Sequence, residues 1–148
     1  MQEVRQHVGS NAELLRDLLP RWWQRMLDSP ASGVFKLIIT EVRNFPEIAE
    51  YYVREVVEPG HRLIGTVIQR GIATGEFRPV NVEAAVQSLV MPMVMLCLHK
   101  HSLGACAPVE SLLHPHEFIR QHMDLVITGL EVHPAKTPPA LPARKKNR

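Results

Sequence analysis

From Phe35 to Leu98 the apolar residues recur at helical spacing, and proline and glycine punctuate them. Val34, Leu37, Ile38 and Val42 lie at i, i+3, i+4 and i+8, one face of a helix with 3.6 residues per turn. Asn44 or Phe45 caps the next helix, with Pro46 in its first turn and Glu47 complementing the positive helix end. Ile48, Tyr51, Tyr52 and Val56 carry it to Pro59-Gly60, where a kink or break is expected. Leu63, Ile64, Val67, Ile68 and Ile72 continue the pattern to Gly75, a good C-terminal stop. Asn81 then caps a helix that should reach about Ser102, with Pro92 in its middle leaving the Ser88 carbonyl without its usual donor. No credible strand alternation interrupts this pattern. All-α is the fold class it dictates.

The flanks extend the same logic. Ser10-Asn11-Ala12-Glu13 is a capping-box pattern, so a helix should start near Asn11. Leu14, Leu18, Trp22 and Met26 repeat every four residues, and Leu15, Leu19, Trp23 and Leu27 shadow them, giving a broad apolar face. Pro20 should bend this helix, and Ser29-Pro30-Ala31-Ser32-Gly33 should end it. Pro115 opens the last helix, with Phe118, His122, Leu125, Val126 and Gly129 near one face. Its apolar residues, Phe118, Ile119, Leu125, Val126, Ile127 and Leu130, occupy more than one side, which implies a second buried face. About five main helices thus fill residues 1–132. Residues 133–148, rich in proline and basic side chains, read as a disordered tail.

A chain of 148 residues corresponds to one domain and can bury a core without staples. Two cysteines, Cys97 and Cys106, make no disulfide framework and suit a reducing cytoplasm. The longest apolar run, Leu89 to Leu98, is half of the roughly 20 residues a membrane span needs. Residues 1–5 carry no signal-peptide core. The net charge of +2 hides an asymmetry. Lys136, Arg144, Lys145, Lys146 and Arg148 sit in the tail, and without them 12 basic residues face 15 acidic ones, a body charge of −3. Nucleic-acid affinity rests on clustered cations, so the body has the wrong sign for binding DNA.

Enzyme signatures are missing: no G-x-S-x-G elbow, no P-loop, no G-x-G-x-x-G. His116-Glu117 begins like a zinc-protease motif, but Arg120 stands where the second histidine ligand belongs. No catalytic residue, metal ligand or cofactor is assigned. His99, His101, His114 and His116, with Cys106, could converge on a transition metal as in a small metalloenzyme, or simply collect at wet helix ends. The large aromatic and sulfur side chains are better candidates for binding, because helix-bundle pockets are lined by such groups. Trp22, Trp23, Met26, Phe35, Ile38, Tyr52, Met91 and Met95 are the expected lining, against the alternative of a filled core. His61, just after Pro59-Gly60, either orients a ligand or sits exposed at a kink.

Two segments carry a family resemblance: Glu41 to Ala49, with Phe45-Pro46-Glu47-Ile48-Ala49, and Gly71 to Arg78, with Gly75-Glu76-Phe77-Arg78 before an Asn-capped helix. In that order they resemble the C-terminal effector-binding and dimerisation domain of the TetR family of bacterial transcriptional regulators, over roughly residues 10–132. The resemblance implies a bundle whose first helices enclose a small-molecule effector. The helices matching 82–102 and 115–131 would pair with their copies in a four-helix homodimer interface. Ala85, Leu89, Phe118, His122, Leu125, Val126 and Gly129 are the interface residues expected there. Effector occupancy would change the spacing of two DNA-binding heads. Residues 1–9 are too short for a helix-turn-helix, so DNA contact is expected only through a head this chain lacks. The other reading of the same pattern is a stand-alone helical dimer or interaction module without an effector pocket.

Overall fold

A computed structural model describes residues 9–102, 104 and 114–133. The tail from 134 onward and Cys106 lie outside the described residues. Helix α1 (Asn11–Asp28) opens where expected, with the Ser10 hydroxyl accepting the Glu13 N–H at 3.3 Å. The reciprocal half of the cap comes from elsewhere in the chain. The Glu76 carboxylate takes the N–H groups of Asn11 and Ala12, each at 2.8 Å, and a bond from the Ser10 hydroxyl. A carboxylate at a helix N-terminus satisfies orphan donors and meets the positive end of the dipole. Of the double stripe, Leu15, Leu19, Trp23 and Leu27 are all buried, whereas Trp22 is 44% exposed. The helix continues through Pro20, itself buried.

A 3-10 turn (Pro30–Gly33), capped by the Ser29 hydroxyl, leads into α2 (Val34–Glu41). The inward face of α2 differs from the expected one. Phe35 is its buried residue, while Leu37 is 54% exposed and Val42 also faces out. Phe35 packs on Trp23, and that contact sets the rotation of so short a helix.

Helix α3 (Pro46–Tyr52), a π-helical turn (Val53–Val57) and α4 (Glu58–Ala73) follow without interruption. The break expected at Pro59-Gly60 is absent; the chain widens one turn earlier. Pro59 has no N–H and its ring crowds the carbonyl four residues back. The wider turn, in which the Glu58 N–H reaches the Val53 carbonyl, makes room for that ring. Counting 46–73 as one rod, the described residues form five main helices.

Gly75 stops α4 with φ +76°, a left-handed conformation that favours glycine. The next residues tie three helices together. Phe77 is 1% exposed and lies so close to Gly71 that a Cβ there would stand 2.2 Å from the Phe77 ring. An antiparallel bridge pairs Phe77 with Glu131: the Arg78 N–H donates to the Leu130 carbonyl at 2.8 Å, and the Val132 N–H to the Glu76 carbonyl at 3.0 Å.

Helix α5 (Val82–His101) starts at Asn81, whose side-chain oxygen accepts the Ala84 N–H at 2.9 Å. It turns Ala85, Val86, Leu89, Met93 and Cys97 inward. At 20 residues it is long and apolar enough to cross a bilayer by length and composition, unlike the ten-residue run read from the sequence. Here that inner face belongs to the bundle core. Helix α6 (Pro115–Leu130) buries Ile119, Met123, Ile127 and Leu130. The most deeply buried apolar side chains come from α1, α4, α5 and α6 and from Phe77, while α3 and the π-helical turn bury none.

Candidate functional site

A ladder of aromatic rings joins α1, α2 and α3. The centroids of Trp22 and Trp23 are 4.5 Å apart, those of Trp23 and Phe35 6.3 Å, and those of Phe35 and Tyr52 6.2 Å. Edge-to-face and tilted pairs at such distances add attraction beyond area burial. Tyr52 is partly buried and packs against the core to which α5 contributes Cys97. Burial pushes the Tyr52 hydroxyl up, and Cys97 adds to the shift. Burial also pushes the Cys97 thiol up, to about 11, against the pull of Lys100. Both groups are therefore neutral near pH 7, and the cluster they border carries no charge of its own. Nothing in the sequence hints that Cys97 lies in the core against which Tyr52 packs.

Among the described residues three buried ring nitrogens have no hydrogen-bond partner: Nε1 of Trp23, Nε2 of His61 and Nε2 of His99. Two of them belong to residues expected to bind a ligand. Buried polar atoms are nearly always paired, so each such exception calls for an explanation.

The other expected pocket residues divide by the register of their helices. Met26, Ile38 and Tyr52 are partly buried beside the cluster's helices. Met91 and Met95 are 57% and 62% exposed. With Ala85, Leu89, Met93 and Cys97 inward, 91 and 95 lie roughly half a turn round α5, on its outer side. The same register corrects two interface expectations. Ala85 and Leu89 already sit in the core of their own chain and offer no free surface to a second one.

Two open clefts mark the surface. One, of about 380 Å³, runs between α1 and α6 past Arg16, Pro20, Arg21 and Arg120. The other, of about 610 Å³, lies among Leu27, Lys100, His114, His116 and Glu117. None of the nine expected ligand residues lines either.

A hydrogen bond joins the outer sides of α5 and α6. Pro92 strips the Ser88 carbonyl of its helical donor, and the His122 ring supplies a replacement, Nε2 to oxygen at 2.9 Å. The carbonyl can only accept, so Nε2 carries the proton. His122 also stacks on Phe118, with ring centroids 5.6 Å apart. His122, expected at an interface, thus bonds within its own chain. The bond sets two stripes side by side: Ser88, Met91 and Met95 on α5, and Phe118, His122, Leu125 and Gly129 on α6. Leu125 is 72% exposed, Val126 is partly buried, and a Cβ at Gly129 would meet nothing within 4 Å.

Among the described residues no three His, Cys, Asp or Glu side chains come together as metal ligands. His101 bonds Ser32 at 2.7 Å and His116 bonds Asp28 at 2.8 Å.

Residues 7–113 match the family model of the tetracyclin repressor-like C-terminal domain, leaving α6 outside the match. No curated protein and no solved structure matches the chain. The match takes in both segments that carry the resemblance, together with the aromatic ladder and α5. This all-α chain belongs to the TetR-like C-terminal domain family.

Proposed function

We propose that this domain senses a small apolar or aromatic effector and forms a homodimer through α5 and α6, in a cytoplasmic transcriptional repressor. DNA contact falls to a helix-turn-helix head outside these 148 residues. Domains of this family are typically regulatory and non-enzymatic, and typically bind ligands and dimerise. The observation that carries the reading is the apolar stripe pair on the outer sides of α5 and α6, with Met91, Met95 and Leu125 all more than half exposed. A two-fold interface uses one patch twice, so a pair of adjacent helices becomes a four-helix contact. The His122–Ser88 bond supports it by tying the two helices together within these stripes.

The mechanism is population shift: an effector favours whichever helix arrangement binds it better, and the dimer follows. Trp23, Phe35 and Tyr52 belong to three helices, and Tyr52 packs against the core that α5 lines with Cys97. A ligand among them therefore bears directly on the helix that carries half of the dimer face.

Sedimentation equilibrium tests the interface. The wild-type chain is expected to be a dimer at micromolar concentration. Leu125→Glu and Met95→Glu, both at exposed positions, should raise the dimer Kd about a hundredfold without loss of helical circular dichroism. A wild-type monomer at high concentration sinks the dimer reading. A second reading, an interaction module without an effector, draws on the fact that neither cleft reaches the aromatic ladder. Thermal-shift screening of apolar ring compounds separates the two, because only a receptor gains stability from them.

A further inference from the structure

Trp23 is 2% exposed, and the one polar atom of its side chain has no partner among the described residues. The indole N–H is a donor only, so nothing but an acceptor can satisfy it. A buried water needs roughly two to four polar partners to stay. The rings of Trp22 and Phe35 that flank Trp23 supply none. The ammonium of Lys100, which bonds the Leu27 carbonyl, is itself a donor and offers the indole no acceptor. We infer that Trp23 donates its indole N–H to an oxygen of the effector, which makes the ligand class a neutral, ring-containing molecule with a carbonyl or ether acceptor. This rests on the effector reading above and adds the polar contact that orients the ligand.

Access comes from the side of α2 and α3. Beyond Phe35, α2 buries nothing, and α3 and the π-helical turn bury nothing at all. Leu37, Ile39, Ile48, Tyr51, Val53 and Val56 stand exposed along this wall. Displacing it breaks few buried contacts besides those of Phe35 and Tyr52, which are themselves rungs of the ladder. A flat molecule entering between Trp23 and Phe35 covers apolar surface and reaches the unpaired N–H together. Pockets that open only in a minor conformation and are held open by their ligand behave this way. An uncharged acceptor suits the site, because apolar rings line it and a buried charge among them is costly.

Nitrogen-15 NMR of the wild-type chain gives the test, since it holds two tryptophans and Trp22→Phe assigns their indole signals. The probes are matched pairs: 9-fluorenone against fluorene, and benzophenone against diphenylmethane. The carbonyl member is expected to bind about tenfold tighter, the worth of one buried hydrogen bond, and to move the Trp23 indole proton downfield. Trp23→Phe should erase that preference and leave the hydrocarbon affinity in place; if this variant fails to fold, the wild-type spectra decide. Equal affinities with no downfield movement overturn the hydrogen bond and leave the apolar pocket standing. Binding of neither member of either pair overturns both.

Discussion

Where α1 begins and α4 and α6 finish, polar groups from distant parts of the chain converge and pair. Glu76 gathers bonds from Ser10, Asn11 and Ala12. Arg16 reaches Asp124, Thr128 and both oxygens of Glu131 at 2.8–2.9 Å. Glu131, through its bond, raises the Arg16 pKa, and Arg16 in turn holds the Glu131 carboxyl below its usual range. The other end, around α2, α3 and the π-helical turn, exposes most of its large apolar residues, and the unpaired ring nitrogens of Trp23, His61 and His99 lie away from the bonded end. Local opening costs little where buried contacts are few, so one bundle holds an anchored base and an adaptable end. A receptor that must keep its shape and still admit a ligand needs both.

Two glycines sharpen that contrast, with the largest expected effect. At Gly71 an added Cβ would fall 2.2 Å from a ring that is itself 1% exposed, and neither side can yield cheaply. Gly71→Ala should cost about 3 kcal/mol in urea unfolding. At Gly60, early in α4, an added Cβ meets nothing. Gly60→Ala should stabilise by about 0.5 kcal/mol through helix propensity. Equal effects at the two sites would mean that the base is no more tightly built than the rest.

Glu76 comes next. Partial burial pushes its carboxyl up, but the bonds from Ser10, Ala12 and Asn11 outweigh that and hold it at about 2, against 4.5 for the free group. A depressed folded pKa contributes stability that is present above about 4.5 and fades as the pH falls toward 2. Glu76→Gln should cost about 1–2 kcal/mol at pH 7, as lost helix caps do. It should also flatten the acid limb of stability against pH. An unchanged limb would detach the cap from the stability of the base.

The base and the rod were legible in the sequence to very different degrees. Ser10, Asn81, Gly75 and the spans of α1 and α5 follow from local rules that act within a few residues, and the structure keeps them. The break expected in the rod at Pro59-Gly60 does not form. The partnership of Glu76 with the start of α1 spans 65 residues and leaves no local trace. Register is what spacing leaves open at the candidate site. α5 is apolar on nearly every side, so spacing alone could not tell Met91 and Met95 from Leu89 and Met93; packing against α4 and α6 decides. Pro92 shows the boundary well. The sequence marks Ser88 as short of a donor, but only the fold reveals that His122 supplies it.

That replacement makes a prediction of middling size. His122→Ala should cost about 1 kcal/mol by leaving the Ser88 carbonyl unpaired. Pro92→Ala restores a backbone N–H to that carbonyl, so in its background the histidine should be worth much less. A double-mutant cycle reads the difference directly. Additive costs would mean that the ring does not stand in for the missing donor.

The smallest effect is expected at the adaptable end, and it tests the comparison most directly. Ile48 and Tyr51 are 45% and 61% exposed on a helix with no buried residue. Removing exposed apolar surface usually changes stability by less than about 0.5 kcal/mol. Ile48→Ser with Tyr51→Ser should therefore leave the urea midpoint nearly unmoved, whereas a single change at Gly71 shifts it strongly. Hydrogen exchange through α3 should stay fast in both proteins. A loss above about 1 kcal/mol, together with slow exchange there, would mean that something covers this face in the folded protein. The end described here as adaptable would then be a second interface, and access to Trp23 would have to wait for that cover to leave.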